Sequence, residues 1–448
     1  MVQEALRTLL EALEGVRPAF TRPGFANLVV VFAGWVLTSG PHAVTQALVT
    51  TGVAGRRHHE AFHRFFSRGT WDPDEVGRLL FAWILKRVPE GAAIRVAVDD
   101  TFASKKGPHV FGIGSHLDAV RSTRRQKIFA FGHCWVVLAV LLPVPFSSHV
   151  FALPVLFRLY RTVKSCVRSG QPHRKKTELA RDLLDVLAKW TAGRRVEIAA
   201  DCAYCNDTVT RGLPDHLVLF GAMRPDAVLT ALPPRRLPKG GRPSKRGRTV
   251  AKPEAIAKDN RRPWLSCQAT LYRKRRIVRY KTVDAQWYRA CGVRLLRIVI
   301  VKVEEGAIGF RVFFSTDPTL SVPTILETYA GRWSIEVCFR NLKQLLGFGD
   351  SCARKKAAVE RTAPFVGLIY TALVLWFADG VHRTSLAVPP VRPWYTHKSG
   401  LCFADVLRAA QRALMPLDVL DPRRSIANLR RRHRPARRPA ESRLRRAA

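Results

Sequence analysis

The sequence predicts a mixed α/β fold, in which a helical N-terminal region precedes a sheet that is built from two separate parts of the chain. Amphipathic helical periodicity dominates the first 88 residues, and short apolar runs typical of strands begin after Gly91. A second set of such runs lies between about residues 224 and 320, and a helix with an unusual polar face follows it. The predicted division of the chain is 1–88, 89–223, 224–320, 321–385 and 386–448.

The composition is that of a folded chain with a large excess of positive charge. Of the 448 residues, 75 are Lys or Arg and 34 are Asp or Glu, which gives a formal net charge of +41 and a pI near 11.1. Hydrophobic residues make up 47%, a share that excludes a disordered basic chain. So large an excess predicts a polyanionic partner, with nucleic acid as the first candidate and an anionic membrane as the second.

The apolar runs do not favour a membrane protein. The longest, 128–146, contains His133 and two prolines, and the runs at 27–40 and 365–377 are too short to span a bilayer. Acidic residues at the N-terminus do not fit a secretory signal, and the nine scattered cysteines indicate a reducing compartment. We therefore expect a cytoplasmic protein with no membrane partner.

In the first region, helices are predicted around 4–14, 43–53, 59–66 and 74–88. Asp72 can cap the last of them. The segment 52–67 has the pattern of a turn followed by a basic helix, as in a helix-turn-helix reader of DNA, so Arg57 and Arg64 are candidate DNA contacts. A solvated basic helix is the alternative interpretation.

Two short patterns of the sequence are also found in zinc sites. His59-Glu60-Ala61-Phe62-His63 satisfies the pattern of a zinc peptidase helix, but the neighbouring arginines and the lack of an obvious third ligand favour a chance match. Cys202 and Cys205 form a pair with no second pair at zinc spacing, so incidental packing is the expectation for them.

Strands are predicted from residue 94 onwards, and two of them end in an acid. The run at 94–98 is followed by Asp99 and Asp100, and the run at 196–200 by Asp201. Between them and after them, the patterns predict strands at 127–142, 149–160 and 217–222 and a helix capped by Thr177. Because strand ends point into the crevice where α/β sheets bind ligands, these aspartates are candidate site residues, with turn aspartates as the alternative.

The region 224–320 is predicted to be rich in strands. It begins with an exposed basic loop at 237–258, in which Arg242 is a candidate DNA contact and a merely solvated loop is the alternative. Trp264 and Trp287 are able to stack an unpaired base, although core packing is favoured for both. Strands are predicted at 266–272, 276–283, 295–303 and 310–315.

A helix predicted from about 322 to 346 places four polar side chains on one face, and a surface helix with incidental charges, in which Arg332 and Glu336 form a stabilising pair, is the alternative interpretation. Tyr329, Arg332, Glu336 and Lys343 fall within an arc of about 60° on a helical wheel. An apolar stripe lies beside them and can dock on a core. An apolar helix at 365–377 and an arginine-rich arm from Arg423 complete the chain.

The four-residue spacing in YAGRWSIEVCFRNLK resembles the signature of bacterial insertion-sequence DDE transposases of the cut-and-paste type. VAVDDT at 96–101 and IAADCAYCND at 198–207 resemble the first and second acidic motifs of that family, and the resemblance runs through roughly 50–380. It implies a ribonuclease-H-like mixed-sheet catalytic core interrupted by a β-rich insertion. An N-terminal helical DNA-binding domain and a helical, basic C-terminal region would flank this core.

The resemblance also implies the roles of the acids. Asp99, Asp201 and Glu336 would be the catalytic residues and would hold Mg²⁺, with Mn²⁺ as a possible substitute, for two-metal chemistry on a phosphodiester. Asp99 is preferred to Asp100 because the family's first acid is followed by any residue and then by Ser or Thr, here Thr101. The choice between the two neighbours stays open at this point.

Tyr329, Arg332 and Lys343 would, by the same resemblance, hold the DNA backbone near the scissile phosphate. The implied activity is a DNA transposase that binds terminal inverted repeats, cleaves through hairpin ends and transfers a strand into target DNA. It would act as a homodimer in a synaptic complex at the bacterial nucleoid. The alternative is a catalytically silent DNA-binding protein that derives from a transposase.

Overall fold

The computed structural model describes residues 2–415 apart from 108, 119–120, 124, 235–243, 304–308, 391–392 and 395–399. Arg242 and the arm from Arg423 lie outside the described residues, so their roles stay predictions.

The N-terminal region is helical, as predicted. Asp72 accepts a hydrogen bond from the backbone N–H of Asp74 and so caps the last of the helices. The apolar run at 27–40 belongs to a core helix that Thr21 caps, and the indole of Trp35 in that helix donates to the carbonyl of Leu346 at 2.9 Å. The helices are α1 (Val2–Glu14), α2 (Arg22–Leu37), α3 (Val44–Thr50), α4 (Glu60–Ser67) and α5 (Pro73–Leu85).

The next part of the chain follows the predicted order of three strands, helix, strand, helix and strand, with one short strand and one short helix added. Its elements are β1 (Ile94–Ser104), β2 (Gly114–Leu117), β3 (Phe129–Val144), β4 (Ser147–Tyr160), α6 (Val163–Arg168), α7 (Lys176–Thr191), β5 (Val196–Ala200), α8 (Asp207–Thr210) and β6 (Leu217–Met223). The prediction that Thr177 caps α7 was wrong. Lys175 holds the cap position, where its backbone N–H donates to Glu178 at 2.6 Å.

The core of the sheet has the strand order β4-β3-β1-β5-β6. β3 runs antiparallel to both β4 and β1, whereas β1, β5 and β6 run parallel to one another. This order is that of a ribonuclease-H-like core, so the predicted α/β fold class is confirmed.

The region from residue 224 is rich in strands, and they continue the core sheet. β12 pairs antiparallel with β6, and β11 and β10 follow in order, so the described strands of both regions share one sheet. The boundaries of this region as a domain stay a prediction. Its elements are β7 (Leu229–Thr230), β8 (Thr249–Val250), α9 (Pro253–Lys258), β9 (Leu265–Leu271), β10 (Lys274–Gln286), α10 (Tyr288–Cys291), β11 (Leu295–Lys302) and β12 (Phe310–Ser315).

Both tryptophans of this region pack in the way that the sequence favoured. Trp264 is half-buried beneath the ammonium group of Lys281, which lies 4.6 Å from the ring centroid. Trp287 packs edge-to-face on Phe314, with the ring centroids 5.7 Å apart. Core packing therefore accounts for both rings.

The helix predicted over 322–346 is two helices that meet at Arg332. The backbone N–H of Arg332 bonds to the carbonyl of Tyr329 at 3.1 Å, a tighter turn than in an α-helix, and this local change separates the two helices. The last helices are α11 (Val322–Gly331), α12 (Trp333–Leu345), α13 (Lys356–Ala378) and α14 (Phe403–Leu414).

The apolar run at 365–377 forms only part of α13, which has 23 residues. By length and composition α13 alone among the described helices could cross a membrane, but 89% of its most apolar window is buried inside the protein. The hydroxyl of Thr371 donates to the carbonyl of Pro154 in β4, and the indole of Trp376 donates to the carbonyl of Ala5 in α1. These contacts are those of a core helix between the sheet and the N-terminal helices.

Candidate active site

Asp99 and Asp201 are neighbours at the point where the parallel pairing of β1 and β5 ends. The last paired residues are Val98 and Ala200, and the next residue of each strand is an aspartate. Because parallel strands end at the same edge, the register places both carboxylates side by side. Asp99 does not end its strand as predicted, since β1 continues against the longer strand β3 as far as Ser104.

Asp201 begins a single helical turn, where its carboxylate accepts a hydrogen bond of 2.7 Å from the backbone N–H of Cys202. Cys205, at the end of this turn, packs with its thiol against Gly221 of β6. A Cβ atom at that glycine would lie 2.2 Å from the Cys205 sulfur, so only glycine permits this contact. Both cysteines are free thiols, and packing accounts for Cys205.

Arg332 joins the first strand to the helix that carries Glu336. Its Nη1 donates to Oδ2 of Asp99 at 2.6 Å, and its Nη2 donates to Oε1 of Glu336 at 2.9 Å. The side chains of Arg332 and Asp99 are 14% and 18% exposed, and that of Glu336 is 35% exposed. One guanidinium group therefore lies between two of the predicted catalytic acids.

The carboxyl group of Asp99 is the most perturbed acid of this site. Burial raises its pKa to about 6, and the carboxylates of Asp100 and Asp201 act in the same direction against the opposing charge of Arg332. Burial would lower the pKa of Arg332, but the surrounding acids outweigh it and the pKa is raised. The Nε atom of Arg332 is buried and has no hydrogen-bond partner among the described residues.

Tyr329 and Lys343 have different neighbours in the structure. The guanidinium of Arg332 lies 5.9 Å from the ring centroid of Tyr329, whose pKa is raised by burial and by the charge of Asp201. Lys343 is exposed, yet surrounding protein lowers the pKa of its ammonium group against the attraction of Asp118 and Asp100. The structure thus places Tyr329 beside Arg332, whereas the acids that attract Lys343 are Asp118 and Asp100.

Asp100 points away from Asp99, because successive side chains of a strand alternate between its two faces. It accepts hydrogen bonds from Lys176 at 2.6 Å, from Tyr204 at 2.6 Å and from Cys134 at 3.2 Å. Burial raises the pKa of this carboxyl, but Lys176 and the other donors outweigh burial and the pKa is lowered. Protein donors therefore hold Asp100 as a structural anion.

Sequence reasoning missed the three donors around Asp100. Lys176 lies at the start of a helix, Tyr204 lies in a loop and Cys134 lies in a strand, and no motif spacing connects them. The only available signal was the strand alternation that turns Asp100 towards the opposite face of the sheet.

The basic segment 52–67, which comprises a turn and helix α4, uses its candidate DNA contacts partly within the protein. Arg57 donates to the side chain of Asn27 at 3.0 Å and lies over the ring of Phe62 at 5.0 Å. Arg64 pairs with Glu60 at 2.9 Å and is 57% exposed, so it is available to a partner. Contact of either residue with DNA stays a prediction.

The chemistry of the acids fits a divalent cation, although the arrangement holds an arginine instead. Asp99, Asp201 and Glu336 offer the carboxylate oxygens that Mg²⁺ and Mn²⁺ prefer. Among the described residues, no three His, Cys, Asp or Glu side chains are gathered closely enough to hold a metal ion, and this includes His59 and His63. Arg332 supplies the positive charge between Asp99 and Glu336.

Comparison with known proteins places the chain in a family. The family model described as DDE superfamily endonuclease matches residues 16–289, more than half of the chain; this range contains Asp99 and Asp201 and ends before Glu336. None of the curated proteins compared matches the chain. A cryo-EM structure of the piggyBac transposase synaptic complex with hairpin DNA is similar at 13% identity with a TM-score of 0.42, over 94% of this chain and 78% of that one, too remote to carry an argument. By the family match, the chain belongs to the DDE superfamily of endonucleases.

Proposed function

We propose that the protein is a DNA transposase that binds the terminal inverted repeats of a bacterial insertion sequence, cleaves DNA at the ends of the element and transfers them into target DNA. Membership of the endonuclease family supports the cleavage step. The observation that carries the proposal is the meeting of Asp99, Glu336 and Arg332 beside Asp201, at the carboxyl edge of the parallel strands. This edge is where α/β sheets bind their ligands.

Cleavage of a phosphodiester is an in-line displacement at phosphorus, so the site must position the attacking oxygen and stabilise negative charge. Asp99, Asp201 and Glu336 would hold divalent cations, Mg²⁺ or Mn²⁺, which when bound activate the attacking oxygen and stabilise the leaving oxygen. When cations neutralise Asp99 and Glu336, the guanidinium of Arg332 would be released from them and could donate forked hydrogen bonds to a phosphate. Tyr329 beside it adds a phenol donor for the DNA backbone.

The net charge of +41 supports a long polyanionic partner such as double-stranded DNA. The proposal includes a homodimer that pairs two element ends, a hairpin intermediate at each end, and action at the nucleoid in the cytoplasm. Lys343, Arg57, Arg64 and Arg242 are the further proposed DNA contacts.

A catalytically silent DNA-binding protein is the second candidate. It is favoured by one observation, the absence of a ready-made group of three metal ligands among the described residues. In such a protein, the pairing of Arg332 with Asp99 and Glu336 would be purely structural.

The test is cleavage of DNA that carries the sequences flanking the coding region. The full chain should nick this DNA with Mg²⁺ or Mn²⁺ and should not do so with EDTA; nicking excludes the silent candidate. Glu336→Gln should lose cleavage and keep DNA binding. Glu327→Gln, on the preceding helix, is the matched control, since Glu327 accepts a backbone hydrogen bond from Thr270 and is not one of the proposed catalytic acids. Full cleavage by Glu336→Gln would overturn the proposal.

A further inference from the structure

A groove of about 940 Å³ opens beyond the end of β1, the strand that carries Asp99. Its walls come from the end of β1, the β2–β3 hairpin, the end of β4 and helix α6. The lining residues that matter here are Phe129, Phe131, Tyr160, Lys106, Lys164 and Arg168.

Two phenylalanines on β3 are exposed in this groove. Phe129 is 64% exposed and Phe131 is 65% exposed, and Val163 on the facing helix α6 is 56% exposed. Because Phe129 and Phe131 are two residues apart on β3, their side chains project from the same face of that strand. Exposed apolar side chains gathered in one groove mark a binding surface.

The charge of the groove is positive. Lys106, Lys164 and Arg168 are exposed, and the described lining residues include no Asp or Glu. The chain as a whole is strongly basic, with a net charge of +41, so a second copy offers little charge complementarity to this particular face. A polyanion is the complementary occupant.

We propose that this groove binds unpaired nucleotides of the DNA substrate, with one base inserted between the rings of Phe129 and Phe131. The Cα atoms of residues i and i+2 of a strand are about 6.6 Å apart. Two base-stacking steps span about 6.8 Å, so this spacing suits a single base between two rings. Stacking on aromatic rings beside basic side chains is how proteins hold single strands without reading their sequence.

The groove is linked through Tyr160 and Lys176 to Asp100, the neighbour of Asp99 whose side chain leaves the opposite face of β1. The ammonium group of Lys176 lies 5.6 Å from the ring centroid of Tyr160 and binds Asp100 at 2.6 Å. Along β1, the groove residue Lys105 is six positions beyond Asp99, about 20 Å at the rise of a strand. A strand that leaves the cut phosphate reaches the groove within a few nucleotides. The inference rests on the proposed function, because DNA is its substrate.

The experiment measures DNA affinity in EDTA, so that it does not depend on cleavage. The full chain is titrated by fluorescence anisotropy onto an element end in two forms, one fully paired and one with a six-nucleotide 3′ overhang that contains 2-aminopurine. Phe129→Ala/Phe131→Ala should bind the overhang DNA about tenfold or more weakly and the paired DNA nearly unchanged. Phe129→Tyr/Phe131→Tyr keeps the rings and should bind like the wild type. The wild type should quench 2-aminopurine, and the alanine variant should not.

Equal affinity of the alanine variant and the wild type for the overhang DNA would overturn the groove proposal. So would a change from dimer to monomer in light scattering without loss of overhang affinity, which would identify the face as an interface between copies. If the wild type binds neither DNA, the groove proposal and the proposed function both fail. If it binds the overhang DNA through the rings but does not cleave with Mg²⁺, the groove assignment stands and the proposed function fails.

Discussion

Nη1 of Arg332 donates a hydrogen bond of 2.6 Å to Oδ2 of Asp99, although 233 residues separate them in the chain. This contact joins α12 to the central strand and places a guanidinium beside a carboxylate that has the neighbouring anions Asp100 and Asp201. Arg332 therefore neutralises, in the absence of DNA, part of a charge cluster that would otherwise repel itself. Family resemblance assigned Arg332 to DNA and Asp99 to metal, and the structure pairs them with each other.

Removal of this arginine should destabilise the protein. In Arg332→Ala the buried carboxylate of Asp99 loses its partner, so we expect the free energy of unfolding at pH 8 to fall by about 2 kcal/mol. Urea unfolding measures this change, and the loss should be much smaller in an Asp99→Asn background. Arg78→Ala is the control, because its pair with Glu75 is exposed and should contribute less than about 0.5 kcal/mol. If Arg332→Ala lowers the free energy of unfolding equally in the wild type and in Asp99→Asn, Arg332 and Asp99 are not energetically coupled.

Arg332 should compete with divalent cations for the acids. In Arg332→Gln the carboxylates of Asp99 and Glu336 no longer bind a guanidinium, so Mn²⁺ should bind more tightly than in the wild type, without DNA present. Isothermal titration calorimetry with Mn²⁺ alone measures this affinity. Unchanged or weaker Mn²⁺ binding by the variant would mean that the arginine does not occupy the position of a metal.

The raised pKa of Asp99 should appear in the pH dependence of stability. The native carboxyl has a pKa of about 6 and the ordinary value is 3.8, so the native state binds this proton more tightly than the unfolded state does. Stability from this group is full below pH 4, falls as pH rises to about 6, and is then lower by about 3 kcal/mol. Asp99→Asn removes this ionisable group, so the stability of the variant relative to the wild type should increase as the pH rises from 4 to 6. If the free energies of unfolding of the wild type and of Asp99→Asn change equally with pH over that range, the raised pKa is contradicted.

Asp99 and Asp100 should differ in metal binding. Asp100 already accepts three hydrogen bonds from protein donors, whereas Asp99 faces Arg332 and Asp201. We expect Asp100→Asn to keep most of its affinity for Mn²⁺ while losing thermal stability, because Lys176 loses the charge of its partner. Asp99→Asn should lose Mn²⁺ affinity. The reverse pattern, measured by the same calorimetry, would make Asp100 the first ligand.

The sequence contained most of the fold because strand and helix periodicity are local signals. The positions of β3, β4 and β9 to β12 follow the strands predicted from the local sequence, and Asp72 marks the start of α5. Two features depend on partners that lie far away in the chain. The extension of β1 past Asp99 depends on pairing with β3, and the union of both strand sets in one sheet depends on the pairing of β6 with β12.

The site was predictable in part. A shared helical face correctly brought Arg332 and Glu336 together, since they are four residues apart on a helix. The bond from Arg332 to Asp99 and the donors around Asp100 join distant segments, and no local pattern encodes them. The groove at Phe129 and Phe131 was also missed, because an alternating strand does not reveal which of its faces stays uncovered.

The central claim, that Asp99, Asp201 and Glu336 form one site for cutting DNA, is tested most directly by metal-dependent cleavage with single variants. DNA that carries the element ends is incubated with Mg²⁺ and the full-length wild type, Asp99→Asn, Asp201→Asn or Glu336→Gln, and the nicked product is quantified beside DNA affinity. We predict that each variant loses at least about 100-fold in cleavage rate and binds DNA within about twofold of the wild type. Wild-type cleavage by any of the three variants would contradict the account.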